Sequence, residues 1–181
     1  MGLSVALDIE RIALAEVRLL HQARSGDSKA RADLISPYAP GLWTVCVATY
    51  PNPADRDSAW DAFLDTLEEA MPGFHVDKPV GVQLFAHLWH CLTLGITHRA
   101  TPDSEPAPVA RDLPRRPDAE DQRRVYEAVH ALSPSDRIVW AFVTVTGLET
   151  DRLAEFTGAG QSALRSAYAR ASWAVYRALT R

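Results

Sequence analysis

The last 24 residues of the chain, Gly158 to Arg181, carry four arginines, Arg165, Arg170, Arg177 and Arg181, and no Asp or Glu. A guanidinium is a planar fork of N–H donors that matches a phosphate or the paired acceptors of a guanine edge. The stretch opens "GAGQSALRSAYARA", with small and hydrogen-bonding side chains ahead of the arginines. That order suits a helix entering a DNA groove N-terminus first. The rest of the chain is unlike it. With 19 basic and 23 acidic residues the formal net charge is −4, which argues against general phosphate binding. Only residues 121–181 are net positive, with 8 basic and 6 acidic side chains.

Two other groups could do chemistry. His87, His90 and Cys91, followed by His98, fall at helical spacings in "LFAHLWHCLTLGITHRA" and could hold a transition metal. Histidines and a buried thiol also occur on apolar core helices without metal. That reading is preferred, and neither a metal site nor a cofactor is expected. In "ADRDSAWDAFLDTLEEAM", Asp57, Asp61, Asp65 and Glu68 lie opposite Trp60, Phe63, Leu64 and Leu67, the pattern of an amphipathic helix with a solvated acidic face. Nothing has the form of a nucleophile elbow, a phosphate-cradling loop or a paired-carboxylate site, so an enzyme is not expected.

The elements that would position these residues read as all-α. A length of 181 residues with 47% hydrophobic side chains fits one or two small globular domains. Cys46 and Cys91 sit among apolar neighbours and read as small core residues rather than a disulfide framework. No stretch is long and apolar enough to span a membrane. Asp8, Glu10 and Glu16 interrupt the only candidate signal sequence, so a cytoplasmic protein without a membrane partner is expected.

"TPDSEPAPVARDLPRRPDAED", residues 101–121, holds five prolines and predicts a flexible linker between helical domains at 1–100 and 122–181. Upstream, the spacing predicts helices over 3–24, after an Asp27 cap, over the acidic stretch and over 80–100; "GLWTVCVATY" fits either a strand or a buried helix. Downstream, "SPSD" at 133–136 is a helix start. It outweighs the β-branched "RIVWAFVTVTG" that follows, and Gly147 ends the element. A short helix at 150–157, a glycine turn and a helix from Gln161 to about Leu179 then form a helix-turn-helix. Its second helix buries Leu164, Tyr168, Ala171 and Val175, leaving Gln161, Ser162, Arg165, Ser166 and Arg170 outside that stripe.

Three stretches in colinear order resemble the extracytoplasmic-function class of bacterial RNA polymerase sigma factors. "QARSGDSKARADLISPYAPGLW" is similar to the opening of the family's promoter-melting domain. "NPADRDSAWDAFL" resembles its polymerase-docking segment. "ALSPSDRIVWAFVTVTGLETDRLAEFTGAGQSALRSAYARA" resembles its C-terminal helix-turn-helix domain. The resemblance covers about 150 residues. It departs at Trp60, where the family usually has Gln, at Phe85 and Leu92, which replace Trp and Asn, and at Ala163, which replaces Thr.

The resemblance implies a protein without catalysis of its own. Asp57, Trp60 and Asp61 would bind the clamp helices of core RNA polymerase. Phe85, Trp89 and Arg99 would meet the minus-ten element of promoter DNA as stacking platforms and positive charge. Gln161, Ser162, Arg165, Ser166 and Arg170 would read the minus-thirty-five element. An anti-sigma factor is a further candidate partner. The same residues also fit a sigma-like regulator that binds polymerase or another protein without initiating transcription.

Overall fold

The computed structural model describes residues 13–99 and 119–180, with side chains except at 96–99 and 119. Every regular element among them is helical. In chain order they are α1 (Leu14–Arg24), α2 (Ser28–Ile35), α3 (Ala39–Thr49), α4 (Pro53–Ala70), a 3-10 turn (Met71–Gly73), α5 (Val80–Arg99), α6 (Ala119–His130), α7 (Pro134–Thr146), α8 (Thr150–Thr157) and α9 (Gln161–Leu179). Of the helix expected over 3–24, the part before residue 13 lies outside the described residues. So do residues 101–118 of the proline-rich stretch; its last residues already belong to α6.

Local chemistry sets the helix starts. Asp27 accepts from the backbone N–H groups of Lys29 and Ala30 (2.9 and 3.0 Å) and caps α2. Asn52 does the same for α4 through Ala54 N–H, with Pro53 in the first turn. Ser133 accepts from Asp136 N–H, with Pro134 behind it, and this start prevails over the β-branched run of α7 because the run packs as a buried helix face. The apolar segment "GLWTVCVATY" is likewise mostly helical, inside α3, with Leu42, Val45 and Cys46 at 0% exposure.

One apolar core runs through both halves of the chain. Leu20, Leu42, Phe63, Leu84 and Leu88 of α1–α5 belong to the same buried cluster as Ile138, Phe142, Leu153 and Leu164 of α7–α9. α7 packs on both α3 and α9, and α6 also lies on α9. Each such large side chain stabilises the fold by about 1.5–3 kcal/mol through burial.

Polar ties cross between the halves as well. Arg137, 8% exposed, donates from Nη1 to the Thr49 carbonyl at the end of α3 (2.7 Å). From Nη2 it donates to the His130 and Leu132 carbonyls at the end of α6 (3.0 and 2.8 Å). One guanidinium thus meets the electronegative ends of two helices. Arg56 of α4 donates to the Tyr50 and Pro51 carbonyls and to the Tyr126 hydroxyl of α6 (3.0 Å).

His130 stands between these two arginines. Its ring packs edge-on against Tyr126 at 4.0 Å, and neither ring nitrogen has a hydrogen-bond partner. Burial, and then the Arg137 and Arg56 charges, push its pKa from 6.5 down to about 4. The unfolded chain therefore takes up a proton that the folded one refuses. Stability from this site is complete above about pH 6.5 and falls as the pH drops toward 4, by roughly 1–2 kcal/mol after allowing for the ring's partial exposure. His130→Phe, which keeps the packing and removes the titration, should lose about 1 kcal/mol less than the parent between pH 7 and 5. Urea unfolding at the two pH values measures this; equal losses in both proteins would refute it.

Candidate functional site

The turn between α8 and α9 is built by backbone geometry. Gly158 ends α8 in the left-handed region (φ 69°) and its N–H bonds the Ala154 carbonyl. No atom lies within 4 Å of where a Cβ would stand, so the glycine meets a conformational need rather than a steric one. Thr157 braces the turn, donating to the Leu153 carbonyl (2.7 Å) and accepting from Ala159 N–H (3.3 Å). Gly160 returns to an extended conformation and opens α9.

Burial of Leu164, Ala167 and Ala171 seats α9 on its neighbours. This fixes which side chains face outward. Gln161, Ser162, Arg165, Ser166 and Arg170 are all exposed, so the five residues expected to read DNA share the solvent side of one helix. Further along, Trp173 and Tyr176 are also exposed and stack on each other, with ring centroids 5.7 Å apart.

Both arginine forks on this face are engaged side-on by carboxylates. Arg165 Nε and Nη2 donate to Oδ1 and Oδ2 of Asp151 on α8 (2.8 and 2.5 Å). Arg170 Nε and Nη2 donate to Oδ2 and Oδ1 of Asp136 on α7 (3.1 and 2.6 Å). The Arg165 guanidinium, and after it the Gln161 side chain, hold the Asp151 carboxyl below its ordinary range, and both arginines are correspondingly pushed up. The two ties differ in surroundings. Asp136 is nearly buried and links α9 to α7, whereas Asp151 and Arg165 both meet solvent. Neither pairing is visible in the sequence, because a pair fourteen or thirty-four residues apart has no helical spacing to reveal it.

On α4, Asp57 and Asp61 are exposed, in line with Asp65 and Glu68. Trp60 is half-buried, edge-on to Trp43 (5.7 Å) and beside Phe63 (5.4 Å). The acidic face is thus open to solvent and backed by an aromatic cluster.

Phe85 and Trp89, expected as stacking platforms, are covered in this arrangement. They are 3% and 7% exposed and pack edge-on against Phe142 of α7, at 6.1 and 5.1 Å. α5 is apolar on the flank carrying these two rings as well as on its leucine side, and α7 covers that flank. In this arrangement neither ring can receive a base. The side chain of Arg99 lies outside the described residues.

The Thr66 hydroxyl lies 3.0 Å from His87 Nε2 and 3.4 Å from Cys91 Sγ, and the last two atoms are 3.7 Å apart. Burial lowers the His87 pKa and raises that of Cys91, so both favour their neutral forms. Among the described residues no group of three or more His, Cys, Asp or Glu is arranged to hold a metal ion, and His98 has no described side chain. No helix among them is long and apolar enough to cross a membrane.

No protein-family profile matches the chain, and no curated protein does. Among solved structures it is similar to CnrH in complex with the cytosolic domain of CnrY. The TM-score is 0.64 and the identity 19%, over 92% of this chain and 97% of that one. At this identity the likeness shows a shared fold.

Proposed function

We propose that this chain is a sigma factor of the extracytoplasmic-function type, which binds core RNA polymerase and directs it to promoters. CnrH, whose fold it shares along almost its whole length, is a factor of that class. The observation that carries the reading is the outward face of α9, where Gln161, Ser162, Arg165, Ser166 and Arg170 stand exposed after a glycine turn. Such a face can enter a major groove, and on this reading α8 and α9 are a helix-turn-helix that meets the minus-thirty-five element. Asp57, Trp60 and Asp61 form the surface for the polymerase clamp helices, an acidic patch whose complement is a basic one. Residues 1–100 and 122–181 act as its two functional domains. CnrH is held in a complex with CnrY, which supports an anti-sigma partner here too.

The described arrangement is then a closed one. The rings that would meet the minus-ten strand, Phe85 and Trp89, lie beneath Phe142, and α7 has to leave α5 before they are usable.

The test is capture of core polymerase followed by transcription from genomic fragments. Joint replacement of Asp57 and Asp61 by arginine should weaken capture at least tenfold, because like charges then face the clamp surface. Unchanged capture would remove α4 from the interface. Capture by the parent protein without any promoter-specific transcript would favour a polymerase-binding regulator over an initiation factor.

A further inference from the structure

We propose that Asp151 is a positioning residue that makes Arg165 a reader of guanine, an inference that rests on α9 being a DNA-recognition helix. The geometry is specific. Asp151 takes the side-on edge of the guanidinium, using the Nε proton and one Nη2 proton (2.8 and 2.5 Å). A guanidinium has five N–H donors, so three remain, two on Nη1 and one on Nη2. One proton of Nη1 and the one left on Nη2 form the end-on edge, directed away from the carboxylate, and the second Nη1 proton lies on the edge beside Cδ. That edge is a two-donor fork of the spacing that N7 and O6 of guanine accept, whereas adenine offers N7 beside an N6 donor and leaves half the fork unpaired.

The carboxylate thus does two things for the base-reading face. It fixes a long, rotatable side chain in one orientation before DNA arrives, so less freedom is lost on binding. It also neutralises the arginine toward phosphates while leaving the fork free for a base edge, which suppresses sequence-independent attraction. Gln161, the first residue of α9, hydrogen-bonds the same carboxylate, so Asp151 organises two side chains of the leading turns. Its own place in the first turn of α8, at the positive end of the helix dipole, favours the ionised form that the arrangement needs. Asp136 differs in being almost buried, and its bond to Arg170 ties α9 to α7. Arg165 and Asp151 are 59% and 37% exposed, which leaves the end-on fork accessible in the full-length protein.

The experiment is selection of preferred sites by the full-length protein from a pool of random-sequence duplex DNA, followed by affinity measurements with single-base variants of the selected site. The wild type should enrich a site with an invariant guanine, and a change of that base to adenine should weaken binding at least tenfold. In Asp151→Asn the guanine-to-adenine ratio should shrink to about twofold, while affinity for unrelated duplex rises and the log–log salt slope steepens by about one. Arg165→Lys, which keeps the charge and loses the fork, should show the same loss of discrimination. Asp151→Glu should restore part of it. The urea midpoint of Asp151→Asn should stay at the wild-type value, since an exposed ion pair adds little to folding. A wild type that enriches no site removes the DNA-recognition reading and this inference with it. A wild type that enriches a guanine-containing site, with Asp151→Asn retaining the full ratio, overturns the inference alone.

Discussion

Arg137→Ala is expected to remove about 3–5 kcal/mol of folding stability, among the largest effects of any single replacement in the chain. Arg137 is almost fully buried, and its Nη1 and Nη2 donors serve the carbonyls of Thr49, His130 and Leu132. Truncation leaves those acceptors in a site that alanine cannot fill, and an unpaired buried carbonyl costs about 1–3 kcal/mol. The loss is not confined to α7, because Thr49 ends α3 and His130 ends α6. Arg137→Lys should recover less than half of the deficit, since one ammonium on a flexible stem cannot span two helix ends as the planar fork does. Urea titrations followed by far-ultraviolet circular dichroism give the comparison. A deficit below about 1 kcal/mol for the alanine variant would mean that water replaces the guanidinium without penalty.

Phe142→Ala is expected to cost a similar 3–5 kcal/mol and to change the character of unfolding. Phe142 is 1% exposed and carries the contacts of α7 with Phe85 and Trp89 of α5. With the ring in place the two halves share a core. Tryptophan emission and helical signal should then fall together in one cooperative transition. Without it, a cavity opens at the junction. The weaker half should melt first, splitting the two signals along the denaturant axis. Coincident curves for the variant at a lower midpoint would show that the other contacts, α3 on α7 above all, suffice to couple the halves.

The helical course of the chain was legible because its starts and stops use local chemistry. Asp27, Asn52 and Ser133 cap as their types dictate, and Gly147 and Gly158 end α7 and α8 with φ of 69°. The outward placement of Gln161, Ser162, Arg165, Ser166 and Arg170 followed from the stripe of Leu164 and Ala171, since the helical period leaves only one side for them. The period could not assign the flanks of α5. Leu84, Leu88 and Leu92 mark one buried side, but Phe85 and Trp89 lie on a second that is equally apolar, and only the tertiary contact with Phe142 shows it to be covered. Nor could it expose Arg137, whose partners come from the far ends of α3 and α6, or the carboxylates that engage Arg165 and Arg170. Such pairings depend on how helices meet, which sequence spacing along one helix does not encode.

The burial of Phe85 and Trp89 also has a quantitative meaning for any strand that stacks on them. A receptor whose competent form is a minor species binds with an affinity reduced by the fraction of time it spends in that form. On the proposed promoter-melting role, a covered form favoured by about 3 kcal/mol would make single-stranded DNA meet the isolated protein about a hundredfold more weakly than its rings alone would allow. A partner that holds α7 elsewhere restores that factor without touching the DNA, so the same sequence can be silent alone and responsive in company.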